Sequence, residues 1–436
     1  MSTVAARCTF TSADDWQCTT LGDVAQVKGG KRLPKGEKFA ETVTPFPYIR
    51  VTDLANFSID TSDLRYLTPE IQATIERYTI SKNDVYISIA GSIGITGMIP
   101  ARLDGANLTE NAAKLVLKED VIAPRFLMYY LASEVAQTEI RGQTVKNAQP
   151  KLALVRIASL EIPLPPLPEQ RKIAAVLGVV QRAIEQQKRL IALTTELKKA
   201  LLHKLFTEGL CGEPKKQTEI GSVPESWEIA PCEKLCEMIT VGVVVKPASH
   251  YVSKGVQAFR SFNVREDRLE TNDLVFFSEE DNDTKLAKSK LRTGDVLVVR
   301  TGYPGTSCVV PKEYDGSNCI DLVIVRPKAG VIRSGFLSRF FNAPAGKSQA
   351  VASKHGLAQQ HLNVSAVKRT LVPVPSLVEQ DEIDSVLATV QRKIALISAK
   401  KETLADLFRS LLHQLMTAQI RVNDLKLDDL EATGTE

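Results

Sequence analysis

The segment PLPPLPEQRKIAAVLGVVQRAIEQ that starts at Pro163 returns 210 residues later as PVPSLVEQDEIDSVLATVQRKIAL, starting at Pro373. Laid ungapped, Pro165 to Glu208 and Pro375 to Ala418 agree at 17 of 44 positions, so any fold this chain adopts has to house one unit twice. The duplication reaches further: Ile80 to Pro100 lies on Leu291 to Pro311, and Trp16 precedes Trp227, both at an offset of 211, while Arg50 precedes Arg260 at 210. Each half is a globular segment followed by a helix. The helices match well and the globular segments have diverged, the pattern of one scaffold carrying two different readers.

The spacing within the helices is specific. In the second copy Ile383, Leu387, Val390, Ile394, Ile397, Leu404, Phe408, Leu411 and Leu415 step by four and three residues in turn, with Lys401 alone breaking the seam. That 3.5-residue period gives two supercoiled helices one continuous apolar stripe. The first copy keeps Ile173, Leu177, Val180, Ile184, Ile191, Leu201 and Leu205 at equivalent places, diluted by Gln187, Thr194 and Lys198. Helices of this size are about 60 Å long. Two arrangements stay open: the two helices pair with each other, or each covers its own globular segment.

The globular segments read as strand-rich. PYIRVTDL, DVYISIAGSIGITGMI and AAKLVLK are short apolar or alternating runs bounded by Gly, Pro and Asn. APRFLMYYLASEVAQTEI interrupts them as a helix, with Phe126, Leu127, Tyr130, Leu131 and Val135 at helical spacing. PLPPLP then stiffens the chain before the long helix. GLCGEPKKQTEIGSVPESWE reads as a polar linker, and the tail from Ile420 carries five acidic residues against two basic ones. The expected divisions are a globular domain over 1–162, a helix over 163–210, a linker with the second globular domain over 211–372, a second helix over 373–418 and an acidic tail over 419–436.

At 436 residues the chain has room for two or three domains, and 55 basic against 51 acidic residues leave a net charge of +4. That balance neither demands nor excludes nucleic acid, which is bound by a local basic face. No signal-peptide pattern or apolar run of about 18 residues stands out, so the expected location is cytoplasmic. The seven cysteines are scattered; Cys232 and Cys236 have no matching histidine pair, and no metal site is expected. Methyltransfer (D/N-P-P-Y/F), phosphate-loop (G-x-x-x-x-G-K-S/T) and H-E-x-x-H motifs are absent, which argues against catalysis.

The repeated P-x-P-x-L-x-E-Q helix starts at Pro165 to Gln170 and Pro375 to Gln380, the TEIGSVPESWE lead-in and the NDVYISIAGSIG and GDVLVVRTGYPG strand-turns together give a resemblance. The chain resembles the DNA specificity subunits of type I restriction-modification systems over nearly its whole length. It departs at Val378, where the first copy has Pro168. The resemblance implies an α+β protein: two strand-rich target-recognition domains joined by two long helices that form an antiparallel coiled coil, with an internal pseudo-two-fold repeat. It implies a chain without catalysis of its own, each domain reading half of a bipartite, asymmetric target in double-stranded DNA. The helices set the spacing and dock two methyltransferase subunits, which carry S-adenosylmethionine, while this chain binds no cofactor. Restriction and translocase subunits complete the assembly, and no membrane is involved.

DNA reading needs cations for phosphates and Arg, Lys, Asn or Gln for base edges. The candidates in the first globular segment are Lys28, Lys31, Arg32, Arg50, Thr52, Ser92, Lys146, Asn147, Gln149 and Lys151. In the second they are Lys246, Arg260, Asn263, Arg265, Arg300, Tyr303, Lys354, His355, Gln359 and Gln360. Arg300 stands where the first half has Ile89, beside a G-x-x-G turn; a core ion pair would explain it equally. The helix seam and partner-docking set is Ile173, Leu177, Val180, Ile184, Leu201 and Leu205 with Ile383, Leu387, Val390, Ile394, Leu411 and Leu415. The apolar row around His203 and His413, including Leu202 and Leu412, is wider than a two-helix seam requires and is expected to receive a methyltransferase helix. A coiled-coil adaptor with two protein-binding heads is the competing reading.

Overall fold

A computed structural model describes residues 15–144, 150–352 and 361–422. The chain divides into two compact units, one of residues up to Gln186 together with those from Lys400 onward, the other Gln187–Ala399. Each unit therefore holds one globular head and a part of each long helix, Leu167–Glu208 and Leu377–Met416. We call these helices the first and second rods.

In the first unit the fully buried strand Val85–Ser88 pairs antiparallel with Ala112–Leu117, Leu115 opposite Val85 and Ala113 opposite Ile87. Ala25–Gly29 and Thr96–Met98 complete that four-stranded sheet at its two edges. A second sheet runs Arg65–Tyr66, Pro47–Ile49, Ala106–Leu108 and Thr79–Ile80. The ribbon Gln17–Thr20 against Glu161–Leu164 ties the start of the head to its end, just before the first rod. Phe126, Leu127, Tyr129 and Tyr130 fill the space between sheet and rods, packed with Val85, Ile87 and Leu115 on one side and Ile173, Leu177, Leu412 and Leu415 on the other.

The expected single helix over residues 123–140 is two, Pro124–Ala132 and Glu134–Gln143. Ser133 takes extended backbone with ψ of 155°, and its hydroxyl accepts from Ala136 N at 3.4 Å, so a serine able to cap one helix ends the other. PYIRVTDL likewise is strand only over Pro47–Ile49 before a short 3₁₀ turn at Val51–Asp53.

The second unit repeats this plan. Val296–Val299 is buried between Leu322–Pro327 and Ser307–Val309, and Cys236–Val241 pairs on the far side of Leu322–Pro327. Trp227, Phe336, Phe340 and Phe341 pack with Leu202, Leu205 and Phe206 of the first rod and Ile383 and Leu387 of the second. The segment that reads as a polar linker is ordered: Lys215–Thr218 and Gly221–Pro224 form an antiparallel hairpin that delivers buried Val223 and Trp227 to this core. The acidic tail beyond Val422 lies outside the described residues.

Within each unit the rods do both things that their spacing leaves open, meeting each other and covering a head. The leading half of one rod and the trailing half of the other share an apolar cluster with that head. Ile173, Leu177, Leu205, Ile383, Leu387 and Leu415 are buried; Ile184, Leu201, Val390, Ile394 and Leu411 are half-buried.

The repeated E-Q pair has a structural role visible in both units. Gln170 is wholly buried; its Oε1 accepts from Ala123 N at 2.8 Å, and its Nε2 donates to Pro165 O at 2.8 Å and Val121 O at 3.2 Å. Gln380 does the same with Arg333 N at 2.8 Å, Pro375 O at 2.9 Å and Val331 O at 3.3 Å. Glu169 accepts from Trp16 Nε1 at 3.2 Å, and Glu379 from Trp227 Nε1 at 3.0 Å. The chain just past the end of a rod closes the same carboxylate: Arg421 Nε reaches Glu169 at 2.8 Å, and Leu210 N reaches Glu379 at 2.9 Å. Asp15 and Glu169 together hold the Arg421 guanidinium above its usual range. The two tryptophans at matching offsets and the two E-Q pairs thus form one buried joint between head and rods, made twice.

Candidate nucleic-acid interface

Cations on the first head concentrate in one loop. Lys28 lies near the end of the strand Ala25–Gly29, and Lys31, Arg32, Lys35 and Lys38 follow, all exposed. The loop is anchored: Lys31 N donates to Leu108 O at 2.8 Å, and Tyr48 Oη donates to Lys31 O at 2.8 Å. Burial pushes the Tyr48 phenol up to about 12, so it remains a donor at any physiological pH. Lys31 Nζ lies 5.7 Å from the Tyr78 ring centre. A rigid base with exposed ammonium and guanidinium groups suits phosphate oxygens. Sequence reasoning misses Lys35 and Lys38 because it stops at the Gly-Gly-Lys-Arg cluster; the run of cations every few residues is the available signal.

The G-x-x-G turns sit at equivalent places in the two heads. Gly91, Gly94, Gly302 and Gly305 all have φ between 74° and 91°, a region that costs other residues strain. At Gly94 a Cβ would also lie 2.6 Å from Gln137 Oε1. Ser92 and Thr52 are exposed, and Tyr303, between the second pair of glycines, is 78% exposed. Lys151 is exposed and bridges Ala90 just before the first turn. Lys146, Asn147, Gln149, Lys354, His355, Gln359 and Gln360 lie outside the described residues.

Several candidates serve the fold instead. Asn263 is fully buried; its Oδ1 accepts from Arg260 N at 2.9 Å and its Nδ2 donates to Asn272 O at 2.8 Å, which takes it off any surface. Arg50 is three-quarters buried, donating to Asp53 Oδ1 at 2.6 Å and Asp63 O at 2.6 Å. Its guanidinium holds Asp63 below the usual carboxylate range. Arg260 bonds Asp273 O and stacks 4.3 Å from the Phe262 ring centre. Arg50 and Arg260 thus repeat because they cap the same short turn. Arg300 donates to Leu362 O at 3.0 Å and pairs with Asp321, the ion pair that competes with DNA contact as its explanation. Arg265 remains on the surface at 44% side-chain exposure, beside Glu270, and Lys246 is exposed with φ of 44°.

The apolar row expected to receive a partner helix is already occupied. Leu202, Leu205, Leu412 and Leu415 are buried in the cores of their own units, because the head covers the flank that a bare helix pair would leave open. A different stripe is free: Leu190, Leu193 and Leu197, three and four residues apart on the first rod, are 45%, 58% and 52% exposed. Leu407, the repeat equivalent of Leu197, is 45% exposed.

Residues 13–195 match the model of the Type I restriction modification DNA specificity domain. The MjaVIII specificity subunit of Methanocaldococcus jannaschii is 24% identical over 422 residues, covering 94% of either chain. Residues 13–195 thus carry a type I restriction modification DNA specificity domain, and over most of its length the chain is similar to specificity subunits of such systems. The EcoBI specificity subunit of Escherichia coli is 25% identical over 389 residues, covering 85% of this chain and 78% of that one. The crystal structure of the S subunit from M. genitalium superposes with a TM-score of 0.57 at 17% identity, over 94% of this chain and 98% of that chain. A chain from a structural study of assembly and conformational transition in the type I R-M system gives 0.56 at 18%, over 94% and 99%. The likeness in fold extends over both heads and both rods of this chain.

No cluster of three His, Cys, Asp or Glu side chains able to hold a metal occurs among the described residues. The sulfurs of Cys232 and Cys236 are 3.7 Å apart and buried. No described helix is long and apolar enough to cross a membrane.

Proposed function

We propose that this specificity subunit binds double-stranded DNA through both heads, each head reading one half of a bipartite, asymmetric target, while the rods set the separation. The observation that carries the reading is a shared head topology whose equivalent exposed loops differ in chemistry. The first head presents Lys28, Lys31, Arg32, Lys35 and Lys38, a phosphate-binding set. The matching stretch of the second presents Val244, Val245 and Tyr251, 48%, 76% and 39% exposed, with Lys246 among them. Apolar side chains of that kind suit thymine methyl groups, whereas cations suit phosphates and guanine edges. Unlike surfaces on like frames select unlike half-sites.

The chain itself is non-catalytic in this reading and acts in the cytoplasm. Methyltransferase subunits carrying S-adenosylmethionine dock on the rods, and the exposed Leu190, Leu193 and Leu197 stripe supplies an apolar row of helical period for one of their helices. Restriction and translocase subunits join that assembly.

The test co-expresses the chain with its methyltransferase partner and sequences the methylated adenines. A gapped, two-part motif is expected. Exchanging the first head, residues 11–162, for that of a relative should alter one half of the motif and preserve the other; change in both halves would refute independent reading. Affinity should fall steeply with salt, since phosphate contacts release counterions. Binding indifferent to ionic strength would favour a protein-binding adaptor.

A further inference from the structure

The two units build one contact from opposite chemistry. In the first unit Phe57 tips the hairpin Leu54–Ala55/Ser58–Ile59, its ring centre 5.3 Å from that of Tyr129 and 5.5 Å from that of Phe408. Tyr129 and Phe408 are 5.9 Å apart, and Tyr129 Oη donates to Gln181 Oε1 at 2.5 Å. Head, first rod and second rod meet in this aromatic knot.

Every participant has a counterpart 210 residues away: Asp267 for Phe57, Arg339 for Tyr129, Gln391 for Gln181 and, on the first rod, Lys198 for Phe408. The hairpin tip keeps its left-handed backbone, with φ of 70° at Phe57 and 65° at Asp267. Lys198 Nζ lies 2.5 Å from Asp267 Oδ2 and 2.8 Å from Gln391 Oε1. Arg339 Nη1 is 2.9 Å from the same Asp267 oxygen, and Arg339 Nε donates to Asp384 Oδ1 at 2.7 Å. The side chains of Lys198, Asp267 and Arg339 are 10%, 7% and 9% exposed. The second unit thus holds a buried ionic knot where the first holds three rings.

We propose that the two knots are a pairing code that decides which rod end each head accepts, and so bars two copies of this chain from pairing first rod with first rod or second with second. The apolar part of the joint lacks that power, since the trailing halves of the rods carry the same Leu201, Leu202, His203 and Leu205 as Leu411, Leu412, His413 and Leu415. In an exchanged pairing, Lys198 would enter between Phe57 and Tyr129 and bury an ammonium without a carboxylate. Phe408 would enter beside Asp267 and Arg339 and remove a cation from a buried cluster. Each mismatch leaves charge uncompensated in a dry site, the condition most costly to a fold. A repulsive element of this kind supplies specificity that attractive contacts, being duplicated, do not. A polar group at one seam position of a coiled coil fixes partner choice by the same means.

The experiment uses the full chain in two tagged forms, mixed in denaturant and refolded together. Tandem capture and light scattering report chains that have exchanged rods. Wild type should give a hetero-tagged fraction at background. The variant K198F/D267F/R339Y, which makes both knots aromatic, should raise that fraction about five-fold or more. It should also melt above the K198F single variant. The reciprocal F57D/Y129R/F408K, which makes both knots ionic, should behave likewise. Combining all six substitutions interchanges the knots and should restore the background level. A triple variant that melts like wild type and shows no exchange overturns the proposal, as does failure of both triples to fold. No DNA enters the readout, so the result stands apart from the proposed reading of a target.

Discussion

Replacing Gln170 tests whether the repeated E-Q pair is a hydrogen-bonded joint or a filler of space. Its amide makes three bonds, with Ala123 N, Pro165 O and Val121 O, in a site with no solvent exposure. Gln170→Ala strands the buried Ala123 N–H, worth about 1–3 kcal/mol, and deletes two further bonds worth about 1 kcal/mol each. The sum is about 3–5 kcal/mol. For a unit of this size 1 kcal/mol moves the melting temperature by about 2–4 °C, so the first unit should melt roughly 6–20 °C lower. Gln170→Glu is the sharper variant because it preserves volume. It keeps the acceptor for Ala123 N but turns a carboxylate oxygen toward the Pro165 and Val121 carbonyls, where the amide nitrogen was a donor, and buries a charge. It should destabilise at least as much as alanine. Calorimetry of full-length protein, with trypsin resistance of each unit as a second readout, decides the matter. A Gln170→Glu variant melting within about 2 °C of wild type would refute the hydrogen-bond account. Gln380→Glu should reproduce the effect in the second unit, since its bonds are the same three.

Val378→Pro should stabilise the second unit by about 0.4–1 kcal/mol, because Val378 is 68% exposed at the position of Pro168 and proline there restricts the unfolded chain; denaturant melts measure it. Arg300→Ala should lower the melting temperature of the second unit as well as DNA affinity, because it breaks the bonds to Leu362 and Asp321, whereas Tyr303→Ala should reduce DNA affinity with melting unchanged. Burial pushes the Cys308 and Cys319 thiols far above their ordinary value, so both remain neutral in the fold. With folded pKa raised above unfolded, their contribution is complete below about pH 8.5 and drains away as pH rises, at about 1.4 kcal/mol per thiol per pH unit. In alkaline melts Cys308→Ala/Cys319→Ala should lose less stability than wild type between about pH 9 and pH 11, each compared with its own value near neutrality. Leu193→Asp with Leu197→Asp should leave melting intact and abolish co-purification of the methyltransferase partner; retained partner would move the docking site elsewhere.

The repeat, the rods and the E-Q motif are legible in the sequence because each rests on spacing, and spacing survives without a partner in view. The fate of a polar residue is not. Arg50, Arg260 and Asn263 look like DNA-reading residues by type, yet all three hold a short turn, and Asn263 has no exposed surface. Part of what holds them is local, Asp53 for Arg50 and Asn263 for Arg260, but the further bonds, to Asp63, Asp273 and Asn272, come from groups nine to thirteen residues later in sequence. The hairpin that reads as a linker escapes notice for a related reason. Its Lys, Glu and Thr residues face outward, and its buried members, Val223 and Trp227, are too few to raise a hydrophobic signal.

Lys198 shows how a lapse in the pattern becomes information once geometry is added. On the helical stripe it reads as a dilution of the seam, a charge where an apolar residue belongs. In the fold it is 10% exposed and pairs with Asp267, while the same position in the other copy is Phe408 among rings. Had the seam been the sole requirement, drift would have favoured an apolar residue at both places, because burying a lone ammonium is costly. A compensating carboxylate at one hairpin tip and a phenylalanine at the other turn that cost into a distinction between otherwise matching halves. A duplicated chain whose joints were identical would have two equally good ways to assemble. On the proposed readings, the departures from the repeat at the joints specify a single arrangement, just as the departures at the exposed loops tell two targets apart.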